Sequence, residues 1–173
     1  MPSVGIIMGS DSDLPVMKNA CDILEQFHVS YEIKICSAHR LPKETAAYAE
    51  TALGRGLEVI IAGAGGAAHL AGVLAASTVL PVIGVPIGGG SLSGLDALYA
   101  IVQMPKGIPV ATVAINGSAN AALLALEMMA GGRPELRTAL QNYRKKMAED
   151  VLAKDKKLNV LGVEAYLEAN GGR

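Results

Sequence analysis

The chain has 173 residues, which is the usual size of one folded domain and is long enough to enclose a hydrophobic core. Its 15 basic and 16 acidic side chains give a formal net charge of -1, so no overall positive field would attract nucleic acid or an anionic membrane surface. Two cysteines, Cys21 and Cys36, are too few for a disulfide framework or a zinc site, and the first eight residues lack the features of a signal peptide. We therefore expect a cytosolic protein.

Hydrophobic residues make up 51% of the chain, and no Asp, Glu, Lys or Arg occurs between Glu58 and Asp96. A membrane span is nevertheless excluded, because glycines and prolines divide this stretch into pieces of strand or helix length and no basic cluster flanks it. The excess of apolar residues instead suggests subunit interfaces in addition to a core.

Short β-branched segments alternate along the chain with longer helical patterns. The predicted strands are Ser3 to Met8, Val29 to Ile35, Leu57 to Ala62, Pro81 to Pro86 and Ile108 to Ile115. Helices are predicted from about Leu14 to Phe27, with Leu14 on the apolar face, and from about Pro42 to Gly54. Fully apolar strands are typical of a parallel sheet covered on both faces. We predict a three-layer αβα sandwich, flavodoxin-like or Rossmann-like, around a mainly parallel five-stranded sheet.

An additional C-terminal helix is predicted over residues 134–157, within a single domain of residues 1–173. Apolar residues in this helix recur at alternating spacings of four and three, and the opposite face is charged. They are Leu136, Leu140, Tyr143, Met147 and Val151. This apolar stripe packs either on the chain's own sheet or on another subunit, and the sequence alone leaves both possibilities open.

The first polar segment, Gly9 to Asp13, follows the first predicted strand directly. In a parallel α/β sheet, ligands bind beyond the carboxyl ends of the strands, where hydroxyls and free backbone N–H groups can hold a phosphate at a helix start. Ser10 and Ser12 are candidates for that contact, and Asp13 for a ribose diol. The alternative is that Ser12 or Asp13 only caps the first helix.

The second segment, Ser37 to Arg40, ends the second strand. It places an imidazole, which titrates near neutral pH, beside a guanidinium that can bind phosphate. His39 is therefore a candidate acid/base. Cys36 is a less favoured candidate nucleophile, because no further member of a catalytic triad is evident.

The third segment, Gly63 to Leu70, follows the third strand and is rich in glycine, which lets a ligand approach backbone amides. His69 lies within it, either as a site residue or as a hydrogen-bonded core histidine. His28 is more typical of a helix C-terminus.

These three segments together resemble the class I PurE family, the N5-carboxyaminoimidazole ribonucleotide mutases. Residues 92–96, 101–105 and 119–122 add to the resemblance, which runs in order from about Val4 to Met129. Two segments depart from the family pattern, Gly88 to Gly90 and Asn116 to Ser118. Arg40 and the run from Gly65 to His69 are similar to the mutases rather than to the animal carboxylases.

The resemblance implies an isomerase of de novo purine synthesis, which forms a homo-octamer and uses neither a metal nor an organic cofactor. His39 would protonate the exocyclic nitrogen as CO2 leaves the N5 carbamate. After CO2 has added to ring carbon 4, His39 would remove the ring proton. Ser10, Ser12 and Arg40 would bind the phosphate, Asp13 the ribose, and the third segment the base and carboxylate. The full set of implied substrate-binding residues is Ser10, Ser12, Asp13, Ser37, Arg40, Gly63, Ala64, Gly65, Gly66, His69 and Leu70.

Three other interpretations compete with the mutase. The first is an aminoimidazole ribonucleotide carboxylase that uses CO2 directly. The second is a module of the same fold that binds a mononucleotide without turning it over. The third, a purely structural oligomer, leaves the polar residues at the strand ends unexplained.

Overall fold

Five parallel strands form the centre of the molecule in the computed structural model, which describes residues 1–171. They are β1 (Val4–Met8), β2 (Tyr31–Ile35), β3 (Val59–Ala64), β4 (Val82–Pro86) and β5 (Ala111–Thr112). The order across the sheet is β2-β1-β3-β4-β5, and every neighbouring pair is parallel. The predicted flavodoxin-like αβα fold is thereby confirmed. The last two residues of the predicted domain 1–173 lie outside the described part of the chain.

Helices cover both faces of this sheet. They are α1 (Leu14–Gln26), α2 (Pro42–Ala52), α3 (Leu70–Ala76), α4 (Leu95–Val102), α5 (Ser118–Met129), α6 (Pro134–Leu161) and α7 (Val163–Ala169). Helices α1 and α5 pack together on one face, and α2, α3 and α4 contribute to the apolar cluster on the other. The buried hydroxyl of Ser118 on α5 donates a hydrogen bond to the carbonyl oxygen of Val16 on α1, which joins two helices far apart in sequence.

The core follows from the strand sequences. Every residue of β1, β3 and β4 is buried, as expected for strands with helices on both faces. Successive side chains of a strand point to opposite faces, so Ile6 joins the cluster under α1 and α5 whereas Ile7 joins the cluster under α2 and α3.

The edges of the sheet differ from the sequence prediction. β5 has only two residues instead of the eight expected from Ile108 to Ile115, in keeping with Pro109, which cannot donate to a strand ladder. β2 forms the opposite edge, and its apolar side chains Ile33 and Ile35 are about half exposed. Leu14 was predicted on the buried face of α1 but is exposed, because at the first helical position its side chain reaches back beyond the helix end.

Helix α6 is longer than the predicted 134–157 and runs to Leu161, where Gly162 with φ 75° separates it from α7. Leu136 and Leu140 are buried against α5, so the first turns pack within the chain. From Met147 onward its apolar side chains are exposed, and 64% of Val151 is accessible. No helix in residues 1–171 is both long enough and apolar enough to cross a lipid bilayer.

Candidate active site

The carboxyl ends of β1, β2 and β3 meet at one edge of the sheet, because Met8 aligns with Ile35 on one side and with Gly63 on the other. The loops that follow these strands surround a cavity of about 280 Å³. It is lined by Gly9, Ser10, Ser12, Asp13, Ser37, Ala38, His39, Arg40, Ala64, Gly65, Ala68, His69 and Leu70. The three polar segments of the sequence therefore converge on one place.

The loop after β1 forms a short 3₁₀ turn over Asp11–Asp13 before α1 begins. Ser10 caps this turn: its Oγ accepts from the N–H of Ser12 at 3.3 Å, and its own N–H donates to Oδ2 of Asp13 at 3.2 Å. Asp13 is the N-cap residue of α1, as the alternative interpretation predicted by position, but its side chain makes no capping bond to that helix and belongs instead to the capping box of the 3₁₀ turn. In this arrangement the hydroxyl of Ser12 donates a hydrogen bond to the Oγ of Ser10 at 2.9 Å.

Asp13 is the buried carboxylate of the site, with 7% of its surface accessible. Burial raises the pKa of Asp13 above its usual value, although the hydrogen bonds from the Ser10 backbone and the Ser12 hydroxyl act in the opposite direction. The other carboxylate, Asp11, is exposed and lies outside the set of described residues that line the main cavity. Oδ1 of Asp11 nevertheless accepts a hydrogen bond from the Ser10 hydroxyl at 3.1 Å, so an anion at that hydroxyl would also lie near the Asp11 carboxylate.

The loop after β2 is a tight turn in which the N–H groups of Arg40 and Leu41 both donate to the carbonyl oxygen of Ser37. The turn exposes His39 and Arg40 to the cavity, and the Arg40 guanidinium donates to the carbonyl oxygen of Gly9. Cys36 points the other way: it is buried, with its Sγ 3.3 Å from Oγ1 of Thr45. Cys36 is thus not among the described residues that line the cavity.

The loop after β3 contains two residues with left-handed backbone, Gly66 at φ 58° and Ala68 at φ 47°. This conformation is sterically unfavourable for Ala68, which carries a Cβ. Four other residues of this region line the cavity, namely Ala64, Gly65, His69 and Leu70.

His69 is exposed at the residue before α3, which rules out the alternative of a core histidine.

Gly63 and Gly66, which were predicted to bind substrate, are not among the described residues that line this cavity. Gly63 lies within β3, where an added Cβ would stand 2.5 Å from Sδ of Met17 on α1. Its small size allows α1 to pack closely on the sheet. Gly9, Ala38 and Ala68 do line the cavity but were not predicted individually, and their only signal was a position within the three segments.

His39 and His69 are in direct contact. Nε2 of His39 lies 2.8 Å from Nδ1 of His69, and the two rings stand edge to face at 82° with centroids 4.9 Å apart. Nothing in the sequence predicted this contact, because the two residues follow strands that are separated in the sheet by β1. The site therefore holds a pair of linked imidazoles.

Arg40 also borders a second, more open cavity of about 440 Å³ on the side of β2. Its other lining residues are Gly9, Ser10, Asp11, Ile35, Ser37 and Leu41. The guanidinium thus stands between two openings, and from there it can reach an anion held at the Ser10 loop.

The two segments that depart from the family pattern contact each other. Oδ1 of Asn116, which has φ 59°, accepts the N–H of Gly88 at 2.7 Å. Gly94 has φ 92°, and a Cβ there would stand 2.9 Å from the Cα of Gly88. Both contacts are made at Gly88, so the glycine-rich segment is held at its first residue.

Taken together, these side chains can bind an anion through hydroxyls and a guanidinium. The carboxylate of Asp13 can accept hydrogen bonds from hydroxyl groups, and an imidazole can transfer protons. The Gly65 region lets a flat ring approach the backbone closely. These properties suit a phosphorylated nucleoside whose ring undergoes proton transfer.

Comparison with known proteins gives consistent matches. A family model described as AIR carboxylase matches residues 3–150. The N5-carboxyaminoimidazole ribonucleotide mutase of Pyrococcus abyssi is 62% identical over 168 residues, which is 97% of each chain. The phosphoribosylaminoimidazole carboxylase of Saccharomyces cerevisiae is 57% identical over 96% of this chain but only 29% of its own length. The crystal structure of Treponema denticola PurE superposes with a TM-score of 0.82 at 30% identity, covering 91% of this chain and 99% of that one.

Proposed function

Because the chain belongs to the AIR carboxylase family, we propose that it is an N5-carboxyaminoimidazole ribonucleotide mutase, an isomerase of purine biosynthesis. The substrate is the N5-carboxy ribonucleotide and the product is its 4-carboxy isomer. The observation that carries the proposal is the convergence of His39, Arg40 and the Ser10 loop on one cavity. That cavity combines a phosphate-binding end with a proton-transfer group.

Different residues of the site bind different parts of the substrate. The hydroxyls of Ser10 and Ser12 and the guanidinium of Arg40 hold the phosphate, and the carboxylate of Asp13 accepts hydrogen bonds from the ribose. Ser37, Ala64, Gly65, His69 and Leu70 surround the base and its carboxylate. Gly66, with its left-handed backbone, shapes the loop after β3, whereas Gly63 acts indirectly by letting α1 pack on β3.

His39 moves the proton in two steps. It first donates a proton to the exocyclic nitrogen as the nitrogen–carbon bond of the carbamate breaks, and the electron pair of that bond stays on nitrogen. The released CO2 is retained beside the ring, and carbon 4 forms a bond to it. His39 then removes the proton from carbon 4, so the enzyme ends each turnover as it began. A positioned acid/base of this kind contributes roughly 10²- to 10⁴-fold to the rate.

The alternative, a carboxylase that uses free CO2, has less support. The relative of Saccharomyces cerevisiae that carries the carboxylase name is much longer, and this chain corresponds to only 29% of it. The relative matched at 97% of both lengths carries the mutase name.

The decisive experiment supplies the purified protein with N5-carboxyaminoimidazole ribonucleotide, without ATP and with bicarbonate kept low. Formation of the 4-carboxy isomer well above the spontaneous background would establish the mutase. If conversion occurs only from aminoimidazole ribonucleotide plus CO2, the protein is a carboxylase. Binding of the ribonucleotide without either reaction would indicate that the protein is a binding module and not an enzyme.

We also propose a homo-octamer that acts in the cytosol, with the C-terminal half of α6 packed on another subunit. Two observations support this: the exposed apolar residues of α6 after Met147, and the exposed side chains Leu95, Tyr99 and Val102 on α4. Exposed apolar surface on this scale is typical of subunit interfaces. Light scattering measures the mass of the protein in solution, and the mass of a monomer would contradict the proposed octamer.

A further inference from the structure

We propose that the carboxylate of Asp11 competes with the substrate phosphate for the hydrogen-bond donors of the loop after β1. The phosphate binds when the Asp11 side chain turns away from those donors, so Asp11 weakens binding and eases release. This inference rests on the phosphate role proposed for Ser10, Ser12 and Arg40. It adds to that site a residue that sets its affinity.

Two donors of the loop meet at one oxygen of Asp11. The hydroxyl of Ser10 donates to Oδ1 of Asp11 at 3.1 Å, and the backbone N–H of Ser12 donates to the same oxygen at 3.1 Å. Carboxylate and phosphate oxygens are both anionic acceptors, so they suit the same donors. The loop thus already holds an anionic group of its own at the donors proposed to bind the phosphate.

The Ser10 hydroxyl cannot donate to two anions at once, because it has a single hydrogen. Its oxygen is already an acceptor for the N–H of Ser12 at 3.3 Å and for the Ser12 hydroxyl at 2.9 Å. A phosphate that receives the Ser10 hydrogen must therefore take it from Asp11. The displaced carboxylate then lies near another negative charge, and two charges about 4 Å apart repel each other by an amount equal to roughly 5-fold in binding even in water.

Asp11 can turn away from the loop, whereas Asp13 is held in place. Asp11 is exposed, so water can replace its two hydrogen bonds at small net cost. Asp13 is buried, and its Oδ2 accepts the N–H of Ser10. Burial is the main cause of the raised pKa of Asp13, and the negative charge of Asp11 raises that pKa further. The charge of Asp11 is therefore felt inside the site.

Arg40 and Asp11 present opposite charges to the same opening, since both line the second cavity of about 440 Å³. Within the described part of the chain they form no ion pair with each other, and the Arg40 guanidinium donates to the carbonyl oxygen of Gly9. Arg40 attracts the phosphate that Asp11 opposes. Substrate and product share this phosphate, so Asp11 weakens the binding of both and raises KM without favouring either direction.

Binding of ribose 5-phosphate tests the competition without catalysis. Calorimetric titration should give Asp11→Asn a Kd roughly 5-fold lower than that of the unaltered protein, and this gain should shrink as salt is added. Asp11→Ala should bind as tightly as Asp11→Asn, and it replaces that variant if Asp11→Asn fails to fold. Glu50→Gln is the matched control, because it removes one negative charge from an exposed position of α2 that lines neither cavity.

The opposite sign would overturn the proposal. If Asp11 instead holds the loop in its binding conformation, Asp11→Ala binds ribose 5-phosphate more weakly than the unaltered protein. A gain of the same size in Glu50→Gln would show only a general effect of net charge, and would equally contradict the competition. In steady-state kinetics with the N5-carboxy ribonucleotide, Asp11→Asn should lower KM by a similar factor.

The result is separable from the fate of the proposed function. If Arg40→Lys weakens the binding of ribose 5-phosphate but Asp11→Asn does not strengthen it, the phosphate site stands and the competition is wrong. If ribose 5-phosphate binds to neither the unaltered protein nor Asp11→Asn, or if Arg40→Lys binds it unchanged, the phosphate site and the competition are both wrong. Tighter binding by Asp11→Asn in a protein without mutase activity would support the competition and contradict the mutase.

Discussion

The guanidinium of Arg40 donates a hydrogen bond from Nη2 to the carbonyl oxygen of Gly9, at 3.3 Å. This bond joins the loop after β2 to the loop after β1, although the two strands are connected only through α1. It holds the positive charge next to the hydroxyls of Ser10 and Ser12 before any ligand arrives. The end of the site proposed to bind the phosphate would therefore be organised in advance.

The first prediction concerns Arg40. In Arg40→Lys the charge stays but the planar fork that can grip a phosphate is lost, so KM should rise roughly 10- to 100-fold with a smaller change in kcat. Steady-state kinetics with the N5-carboxy ribonucleotide measure this. Arg144→Lys is the matched control, since Arg144 pairs with Glu127 away from the site and its replacement should leave KM unchanged. Equal effects of the two variants would contradict a phosphate role for Arg40.

The second prediction concerns His39. His39→Asn keeps a polar side chain but cannot exchange protons, so turnover should fall roughly 10²- to 10⁴-fold while the ribonucleotide still binds. His28→Asn serves as the control, because His28 has φ 55° at the end of α1 and asparagine tolerates that conformation. Turnover near that of the unaltered protein in His39→Asn would refute the proposed role.

The third prediction follows from the buried carboxylate of Asp13. Its pKa is raised in the folded protein by burial, so the folded state binds this proton more tightly than the unfolded chain does. Protonation of Asp13 therefore stabilises the fold at acid pH, and this contribution is lost as the pH rises through the raised pKa.

Asp13→Asn removes the ionisation and retains an oxygen for the N–H of Ser10. The difference in Tm between Asp13→Asn and the unaltered protein should therefore shift in favour of the variant between about pH 4 and pH 7. Thermal melts across this range measure it. A difference that stays constant with pH would show that Asp13 titrates alike in the folded and unfolded states.

The fourth prediction tests the packing role of Gly63. A methyl group at this position meets the buried thioether of Met17, so Gly63→Ala should lower the free energy of unfolding by about 1 to 3 kcal/mol. Gly54→Ala is the control, because an added Cβ there has no neighbour within 4 Å. Denaturant titration compares the two. Equal stabilities would mean that α1 adjusts without cost.

The fifth prediction concerns assembly. Val151→Glu places a charge on the exposed apolar side of α6, which should reduce the mass of the assembly measured by light scattering, because a buried unpaired charge is costly. Lys146→Glu changes charge on the polar side of the same helix and should leave the mass unchanged. An unaffected mass in Val151→Glu would place the subunit contact elsewhere.

Much of the fold was predictable because the signals are local. The apolar segments of β1, β3 and β4 are continuous, and they end where polar or glycine-rich loops begin. Strand ends were predicted to within two residues there. β5 was not, since its length depends on which backbone groups face β4, and no local pattern records that.

The candidate site was predictable at the level of its three loops but not of its contacts. Parallel strands bring their carboxyl ends together, so the convergence of Ser10, His39 and Gly65 followed from topology. The contact between His39 and His69 joins the loops after β2 and β3, a tertiary detail without a sequence signature. The same holds for the contact of Arg40 with Gly9.

The bond from Ser118 to Val16 has a consequence for biogenesis. The two residues are 102 positions apart, so at typical synthesis rates the ribosome delivers Ser118 roughly 5 to 20 s after Val16. Until α5 emerges, the apolar side of α1 has no permanent cover. The packing of α1 against α5 can therefore be completed only after Ser118 and the rest of α5 have been synthesised.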